Sequence, residues 1–374
     1  MTRIYFDNAA TTPLRAEVIS EITHVLQTEF GNPSSTHSFG RSAKTILETA
    51  RKTIAKLLNA QPSEIIFTSG ATEANNWILS NAVKHLNIKR IVSTKIEHHA
   101  VLHTLEHLSK ANAIELVLMS VDAFGQINLS ELENILQDEQ PTFISLMHVN
   151  NEVGSVLPIQ KITEIAKKHH AFVHSDTVQS IGKTKIDVQE QGVDFLVGAA
   201  HKFHGPKGVG FAFVKKNTAI APLIFGGEQE KGLRAGTEGV HNVAGMAKAL
   251  ELSIENLETE QKHILALKNY CIQELKNNFQ DCKIIGGEDT FYNIVNILLP
   301  FSEEKAAMLL FQLDIQGIAV SRGSACQSGS SKGSHVLQEI LTEDELKKPT
   351  LRVSFSHYNT FAEIDRFIEV LKNN

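Results

Sequence analysis

Cysteine is scarce in this chain: three residues occur among 374, and none of them forms a CxxC pair. A small, odd number of thiols argues against a disulfide-stabilised fold and predicts a reducing, cytoplasmic location. Basic residues are not in excess, since the formal net charge is -6, which argues against direct nucleic-acid binding. Long apolar runs are also missing, and the N-terminus lacks the apolar core of a signal peptide, so we expect no membrane span.

Two domains are expected from the length, because 374 residues exceed what one hydrophobic core usually organises. In the first part of the chain, apolar strands alternate with helices, a pattern that predicts a parallel or mixed α/β sheet. After a long helix predicted from about Val240 to beyond Leu267, short strands mix with helices. We therefore predict a large α/β domain over residues 14–258 and a smaller α+β domain made of residues 1–13 and 259–374.

Polar and ionisable residues lie at the predicted carboxyl ends of several strands, where ligands bind in sheets of this kind. Lys202 follows one such strand: a buried lysine has a lowered pKa, and its neutral amine can attack a carbonyl to form a Schiff base. The alternative is a strand-end lysine whose ammonium simply reaches solvent. Asp176 ends a second strand and either caps the following turn or holds a pyridine nitrogen protonated. A reactive lysine with such a carboxylate is the pair that pyridoxal 5'-phosphate (PLP) chemistry requires.

The segment 69–73 follows a strand and opens a helix, so its free N–H groups suit a phosphate. The same residues also fit an ordinary Ser/Thr cap, and they lack the glycine and lysine spacing of dinucleotide- and ATP-binding loops. Two more side chains near strand ends have candidate roles. His98 could stack on a flat cofactor and move protons, and Gln179 could donate a hydrogen bond to a phenolate oxygen of the ring.

His99, His103 and His107 share one face of a predicted helix, which is compatible with a metal site or with plain surface histidines. Because no cysteine or carboxylate ligands occur at matching spacing, we predict no metal. Cys326 lies in a glycine- and serine-rich loop and is either a reactive thiol or incidental. Arg352, inside an apolar strand, needs a carboxylate partner, which is an Asp or Glu of the chain or the substrate.

Taken together, these motifs resemble the NifS/IscS-like cysteine desulfurases, which are class V aminotransferase-like enzymes of PLP fold type I. The match keeps the family's order from the first residues to about Arg352. The segments that carry it are residues 5–13, 31–35, 67–73, 147–152, 176–179, 201–202, 234–237 and 323–326. The resemblance implies a homodimer whose large domain has a mostly parallel seven-stranded sheet flanked by helices, with a smaller α+β domain that carries the Cys326 loop.

The resemblance also implies a role for each matching residue. Lys202 would carry PLP and transfer protons, and Cys326 would take sulfur from the substrate as a persulfide. His98 would lie against the face of the ring and take part in catalysis. The other implied contacts are Ala71, Thr72, His201 and the partner subunit's Thr237 at the phosphate, Asn151 and Gln179 at the phenolate, Asp176 at the ring nitrogen, and Asn32 and Arg352 at the substrate carboxylate.

The implied reaction converts L-cysteine to L-alanine and leaves sulfur on Cys326 for an acceptor, such as an iron–sulfur scaffold or a tRNA-thiolation enzyme. One departure concerns Ala199, which replaces the serine that the family commonly has near the phosphate, and it implies one hydroxyl contact fewer. Two alternatives stay open. One is a selenocysteine lyase or another class V PLP lyase or aminotransferase, and the other is a non-enzymatic sulfur carrier or metal scaffold that uses Cys326 and the histidines.

Overall fold

The computed structural model describes residues 3–322 and 333–373 of the chain, without the side chains of residues 303–307. The strands are β1 (Ile4–Tyr5), β2 (Ile65–Thr68), β3 (Arg90–Thr94), β4 (Glu115–Met119), β5 (Thr142–Ser145), β6 (Phe172–Asp176), β7 (Phe195–Ala199), β8 (Gly210–Val214), β9 (Lys283–Ile285), β10 (Ile294–Leu298), β11 (Ile318–Ala319) and β12 (Thr350–Ser354). The helices are α1 (Ala16–Thr28), α2 (Ser38–Leu57), α3 (Ala71–His85), α4 (His99–Asn112), α5 (Leu129–Leu136), α6 (Ile159–Lys168), α7 (Val188–Gln191), α8 (Val240–Glu255), α9 (Leu257–Asn278), α10 (Glu303–Ile315), α11 (His335–Ile340), α12 (Glu343–Leu346) and α13 (Phe361–Lys372).

The largest sheet has seven strands in the order β2-β8-β7-β6-β5-β3-β4. Strands β7, β6, β5, β3 and β4 pair in parallel, whereas β8 is antiparallel to both β7 and β2. Parallel strands need crossover connections, and the helices that provide them cover the faces of the sheet. This topology confirms the predicted α/β class and the mostly parallel seven-stranded sheet.

Alternate residues of one central strand enter different hydrophobic clusters. In β7, Leu196 packs in the cluster that contains residues of α2, α6 and α8. Phe195 and Val197 pack in the cluster that contains residues of α3 and α4. Successive side chains of a strand point to opposite faces, so the sheet lies between two helical layers. Burial on both faces explains why β7 is apolar along its whole length rather than alternating with polar residues.

The remaining strands form two small sheets: β12-β10-β9 is antiparallel, and β1 pairs in parallel with β11. Their shared core contains Phe6, whose ring centroid lies 5.3 Å from that of Phe355 and 5.9 Å from that of Phe367. Cys271 of α9 is buried in the same cluster. The N-terminal strand therefore packs against the C-terminal part of the chain. The predicted domain bounds, 14–258 against 1–13 with 259–374, stay a prediction.

The predicted single helix from about Val240 to beyond Leu267 is wrong. The structure has two helices there, because Asn256 has non-helical backbone angles (φ -97°, ψ 5°) and ends α8 while it precedes α9. Its side-chain amide donates to the carbonyl of Leu252 at 2.8 Å, a local bond that competes with helix continuation. Among the described helices, none combines the length and the apolar content that crossing a membrane requires.

Candidate active site

A cavity of about 580 Å³ lies at the carboxyl ends of the central strands. It is lined by most of the residues to which the sequence assigned roles: Ala71, Thr72, His98, Asn151, Asp176, Gln179, His201, Lys202 and Arg352. These residues come from six separate stretches of sequence. The fold therefore brings side chains that are distant in the sequence to one cavity. Ligand sites outside the carboxyl ends of parallel strands are the expected consequence of this topology.

The first turn of α3 forms one wall of the cavity, where Ala71 and Thr72 are lining residues. Within the described residues, no side chain caps this helix at Gly70. Its first N–H groups therefore stay available, and the helix dipole makes this end attractive to an anion. Gly210 lets β8 lie close to the backbone of Gly70 at the start of this helix. A Cβ at Gly210 would lie 2.5 Å from the Gly198 carbonyl oxygen and 2.8 Å from the Gly70 Cα.

Lys202 occupies the short turn that follows β7, and its Nζ points to the N-terminal segment of the chain. The ammonium donates to the carbonyl oxygens of Ala9 at 2.7 Å and Ala10 at 2.8 Å. Thr12 holds this segment in place: its hydroxyl donates to the His201 carbonyl at 3.0 Å and accepts from the His204 N–H at 2.7 Å. The lysine is therefore fixed inside the cavity by carbonyl groups rather than extended into solvent.

Asp176 ends β6 and is 6% exposed. One of its carboxylate oxygens accepts from the Asn75 side chain at 2.8 Å, and the other accepts from the Val178 N–H at 3.1 Å. It thus caps a turn and also lines the cavity. The two interpretations of this residue in the sequence are compatible in the structure, since a carboxylate has enough lone pairs for both contacts and a ligand.

His98 and His201 are imidazoles in the cavity wall that are held neutral. The Nδ1 of His98 accepts from the Ala100 N–H at 3.1 Å, which leaves the proton of the neutral ring on Nε2. Burial lowers the pKa of His98, and the carboxylate of Asp176 opposes this shift without reversing it. Burial, followed by the charge of Lys202, lowers the pKa of His201 to about 4. Neutral rings at pH 7 suit stacking and hydrogen bonding to a ligand.

Arg352 of β12 is 1% exposed and reaches the cavity from the C-terminal part of the chain. Its guanidinium pairs with Asp7 at 2.7 Å and donates to the Asn151 carbonyl at 2.8 Å. Its Nε is buried and has no hydrogen-bond partner in the described part of the chain. The partner inside the protein is therefore Asp7, and the cavity position leaves Arg352 able to meet an anionic ligand as well.

Replacing Arg352 with glutamine is expected to raise the KM for the cysteine substrate that the resemblance implies by about 10- to 100-fold, the value of one charge-assisted hydrogen bond. The rate at a saturating concentration of that substrate should change less, because uniform substrate binding is what is lost. Steady-state kinetics measure the split, and Arg366→Gln on the surface of α13 is the matched control. An unchanged KM in a variant that unfolds at the wild-type temperature would contradict a carboxylate-binding role.

Two of the predicted residues do not line the cavity, and a third is not described by the structure. Asn32 and Thr237 are exposed and are not among the residues that line the cavity. The Asn32 side chain accepts from the Ser34 N–H at 2.9 Å, which stabilises its own loop. Cys326 lies outside the described residues. The roles assigned to Asn32, Thr237 and Cys326 stay predictions.

The histidines of α4 do not form a metal site with their described neighbours. In residues 3–322 and 333–373, no group of three His, Cys, Asp or Glu side chains is arranged to hold a metal ion. The Nε2 of His99 instead lies 3.0 Å from the Nδ1 of His335. His335 also lies 2.9 Å from the Glu97 carbonyl oxygen through its Nε2. This pair joins α4 to α11 in the C-terminal part of the chain.

Sequence reasoning missed Asn75, Glu97 and Lys183. Asn75 lies one helical turn after Ala71, and that spacing was the only signal of its contact with Asp176. Glu97 is completely buried, and burial raises its pKa to about 8 although its carboxylate accepts from the Met147 N–H at 2.8 Å. Nothing local marks either Glu97 or Lys183 as buried.

Comparison with known proteins identifies the family. The family model Aminotransferase class-V matches residues 4–367. The chain is 41% identical over 372 residues to a cysteine desulfurase IscS of Dictyoglomus turgidum, covering 99% of this chain and 93% of that protein. A solved NifS-like protein superposes with a TM-score of 0.91 at 36% identity, and the match covers 100% of this chain and 99% of that one. A second solved structure, SspA in complex with cysteine, superposes with a TM-score of 0.82 at 31% identity, and the match covers 96% of this chain and 100% of that one.

These findings confirm the resemblance to NifS/IscS-like proteins and the predicted fold type. The match covers nearly the whole chain, so it includes every described residue of the cavity wall. The chain therefore belongs to the class-V aminotransferase family, in its group of cysteine desulfurases.

Proposed function

We propose that this chain is a PLP-dependent cysteine desulfurase that converts L-cysteine to L-alanine and keeps the sulfur on Cys326 as a persulfide. The observation that carries the proposal is one cavity lined by the Lys202 amine, the Asp176 carboxylate, the first turn of α3 and the Arg352 guanidinium. The atoms balance: the substrate's sulfur joins the thiolate sulfur of Cys326, the carbon–sulfur bond breaks, and that carbon gains a proton to give alanine.

The described residues fit PLP, which combines a pyridine ring, an aldehyde and a phosphate. Lys202 would bind the aldehyde carbon and Asp176 the ring nitrogen. The N–H groups at the start of α3, with Thr72 and His201, would bind the phosphate, and Ala199 supplies no hydroxyl there. Asn151 and Gln179 would meet the phenolate oxygen, and His98 the ring face. When bound, the cofactor supplies an electron sink that stabilises negative charge on the substrate.

The side chains around the cavity then have distinct tasks. Lys202 would leave the carbonyls of Ala9 and Ala10 and move protons between substrate atoms, since its amine lies in the cavity wall. His98, neutral with its proton on Nε2, would support the ring and serve as a second proton carrier. Arg352, joined by Asn32, would orient the substrate by its carboxylate, which places the sulfur within reach of Cys326.

The enzyme would act as a homodimer. Thr237 would contact the phosphate across a homodimer, and its exposure on the single chain supports that interpretation. The sulfur acceptor would be a protein, such as an iron–sulfur scaffold or a tRNA-thiolation enzyme.

The division into residues 14–258 and residues 1–13 with 259–374 would place Cys326 on the smaller domain. Cysteine scarcity supports a cytoplasmic location, and the net charge of -6 argues against nucleic acid as a direct partner.

Replacing Cys326 with alanine is expected to lower alanine formation from cysteine by at least about 100-fold, because loss of a nucleophile usually costs more than this. The visible absorption of bound PLP should persist, since Lys202 is intact. Amino-acid analysis of the reaction and an absorption spectrum provide both readings. Cys282→Ala is the matched control, as Cys282 is a free, partly exposed cysteine.

The same experiment separates the alternatives. Unchanged turnover in Cys326→Ala would favour a selenocysteine lyase or another class V lyase or aminotransferase, which needs no such thiol. A wild-type chain that binds no PLP would instead favour a sulfur carrier or a metal scaffold.

A further inference from the structure

A buried lysine that the proposed reaction does not use lies behind the cavity. Lys183 is 8% exposed and lies in the turns that follow β6. Its ammonium donates to the Oε1 of Gln179 at 3.2 Å. Burying an ammonium is costly, and an apolar side chain would fill the same space more cheaply if packing were all that was needed.

The contact determines how the Gln179 carboxamide is oriented. Its Nε2 donates to the carbonyl oxygen of Ala9 at 2.9 Å, while its Oε1 accepts from Lys183. A lysine ammonium can only donate and a carbonyl can only accept. If the carboxamide were rotated by half a turn, its NH₂ would meet the ammonium and its oxygen would meet the Ala9 carbonyl. With Lys183 charged, both contacts would then be repulsive, and the contact with Ala9 stays repulsive when Lys183 is neutral, so Lys183 and Ala9 together select one orientation.

That orientation matters because of what else meets the Ala9 oxygen. The Nζ of Lys202 donates to the same oxygen at 2.7 Å, so the Gln179 NH₂ group lies beside the reactive amine. Gln179 also lines the cavity. A carboxamide nitrogen carries two N–H bonds; one is directed to Ala9, and the second is free to donate to a ligand.

Charges around Lys183 come from several elements. Burial, followed by the charges of Lys202 and Arg352, lowers the pKa of Lys183 to about 7. His201 and His204 also interact electrostatically with it, and each is held neutral by burial. Glu260 lines the same small cavity of about 20 Å³ as Lys183. Lys183 therefore donates to Gln179 although the nearby charges of Lys202 and Arg352 repel its own.

We propose that Lys183 is a positioning residue: it holds the Gln179 carboxamide with its NH₂ toward the cavity, so that Gln179 donates to the phenolate oxygen of the cofactor. This inference rests on the proposed function, because it concerns PLP bound at Lys202. A hydrogen bond to that oxygen reduces its attraction for the proton shared with the lysine nitrogen. The lysine-bound cofactor then loses this proton at a lower pH than it would without the bond.

The test is the Lys183→Met variant of the full, PLP-loaded chain, followed by its visible absorption spectrum as the pH is raised. We expect the midpoint of the spectral change to lie about one pH unit above the wild-type midpoint, which is the effect of one hydrogen bond to a charged group. Lys185→Met replaces an exposed lysine two residues away and should leave the midpoint unchanged. Lys183→Gln, whose amide can both donate and accept and so selects no orientation, should also raise it.

Introducing Lys183→Met into a Gln179→Ala variant shows whether the shift of the spectral midpoint depends on Gln179. In Gln179→Ala, the midpoint should already be raised, and adding Lys183→Met should then change it by less than about 0.3 pH unit. The inference is overturned if Lys183→Met and Lys183→Gln keep the wild-type midpoint, or if Lys183→Met shifts it equally in both backgrounds. A wild-type chain that acquires no visible band with PLP would contradict the proposed function itself, so the two failures are distinguishable.

Discussion

Alanine formation from cysteine is expected to fall by at least about 1000-fold when Lys202 is replaced with alanine, because both covalent attachment and proton transfer are lost. The amine lies in the cavity and is held by the carbonyls of Ala9 and Ala10. The substitution does not alter the first turn of α3 or Arg352, which also line the cavity. The measurement is alanine produced per minute at saturating PLP and cysteine.

A second lysine in the cavity wall is the alternative candidate for the reactive amine. Lys207 lines the same cavity but is exposed. If Lys202→Ala kept more than a tenth of the wild-type rate while Lys207→Ala lost it, the reactive amine would be Lys207. Borohydride reduction of the PLP-loaded wild type, followed by peptide mapping, locates the modified lysine directly.

The largest expected effect on stability comes from a buried ion pair away from the cavity. Arg51 and Glu230 have side chains that are 2% and 1% exposed, and their closest charged atoms lie 2.7 Å apart. Glu230 also accepts from the Phe67 N–H at 2.8 Å, and the Arg51 guanidinium lies 4.4 Å from the Phe67 ring centroid. Replacing Glu230 with leucine leaves the buried guanidinium with the partly exposed Glu48, at 3.2 Å, as its remaining ion-pair partner, so we expect the free energy of unfolding to fall by about 3 kcal/mol. Denaturant unfolding measures the change.

The double variant Arg51→Met with Glu230→Leu is expected to recover most of that loss, because no unpaired charge then stays buried. Glu133→Leu removes one partner of the exposed pair with Lys168 and should change stability by less than about 1 kcal/mol. A Glu230→Leu variant no less stable than Glu133→Leu would show that Glu48 or water replaces Glu230 as the partner of Arg51.

This pair also fixes the segment that leads to Thr237. Glu230 and Lys231 both have left-handed backbone angles, with φ of 48° and 61°, which non-glycine residues adopt at a cost. Four residues on, Arg234 pairs with Glu73 of α3 at 2.9 Å. Two ion pairs therefore anchor the segment to α2 and to α3, whose first turn forms one wall of the cavity.

The sequence by itself determined the order and type of the main elements and the positions of the candidate site residues along them. Apolar runs that stop at Asp176 and shortly before Lys202 are local signals, and strand ends of a parallel sheet meet at one edge whatever the packing details. The family motifs added the roles, and nearly all of the described ones converge on one cavity. The helix broken at Asn256 was missed because helical spacing continues on both sides of the break.

Only the tertiary structure decided the contacts between distant parts of the chain. Asp7 pairs with Arg352 across 345 positions, and Lys202 reaches carbonyls 192 and 193 positions away. Lys183 and Glu97 look like ordinary charged residues in the sequence, and their burial depends on elements folded over them from elsewhere. Periodicity reports which face of an element is apolar, but which polar group meets which depends on long-range packing. That is why the orientation of Gln179 could be argued from the structure alone.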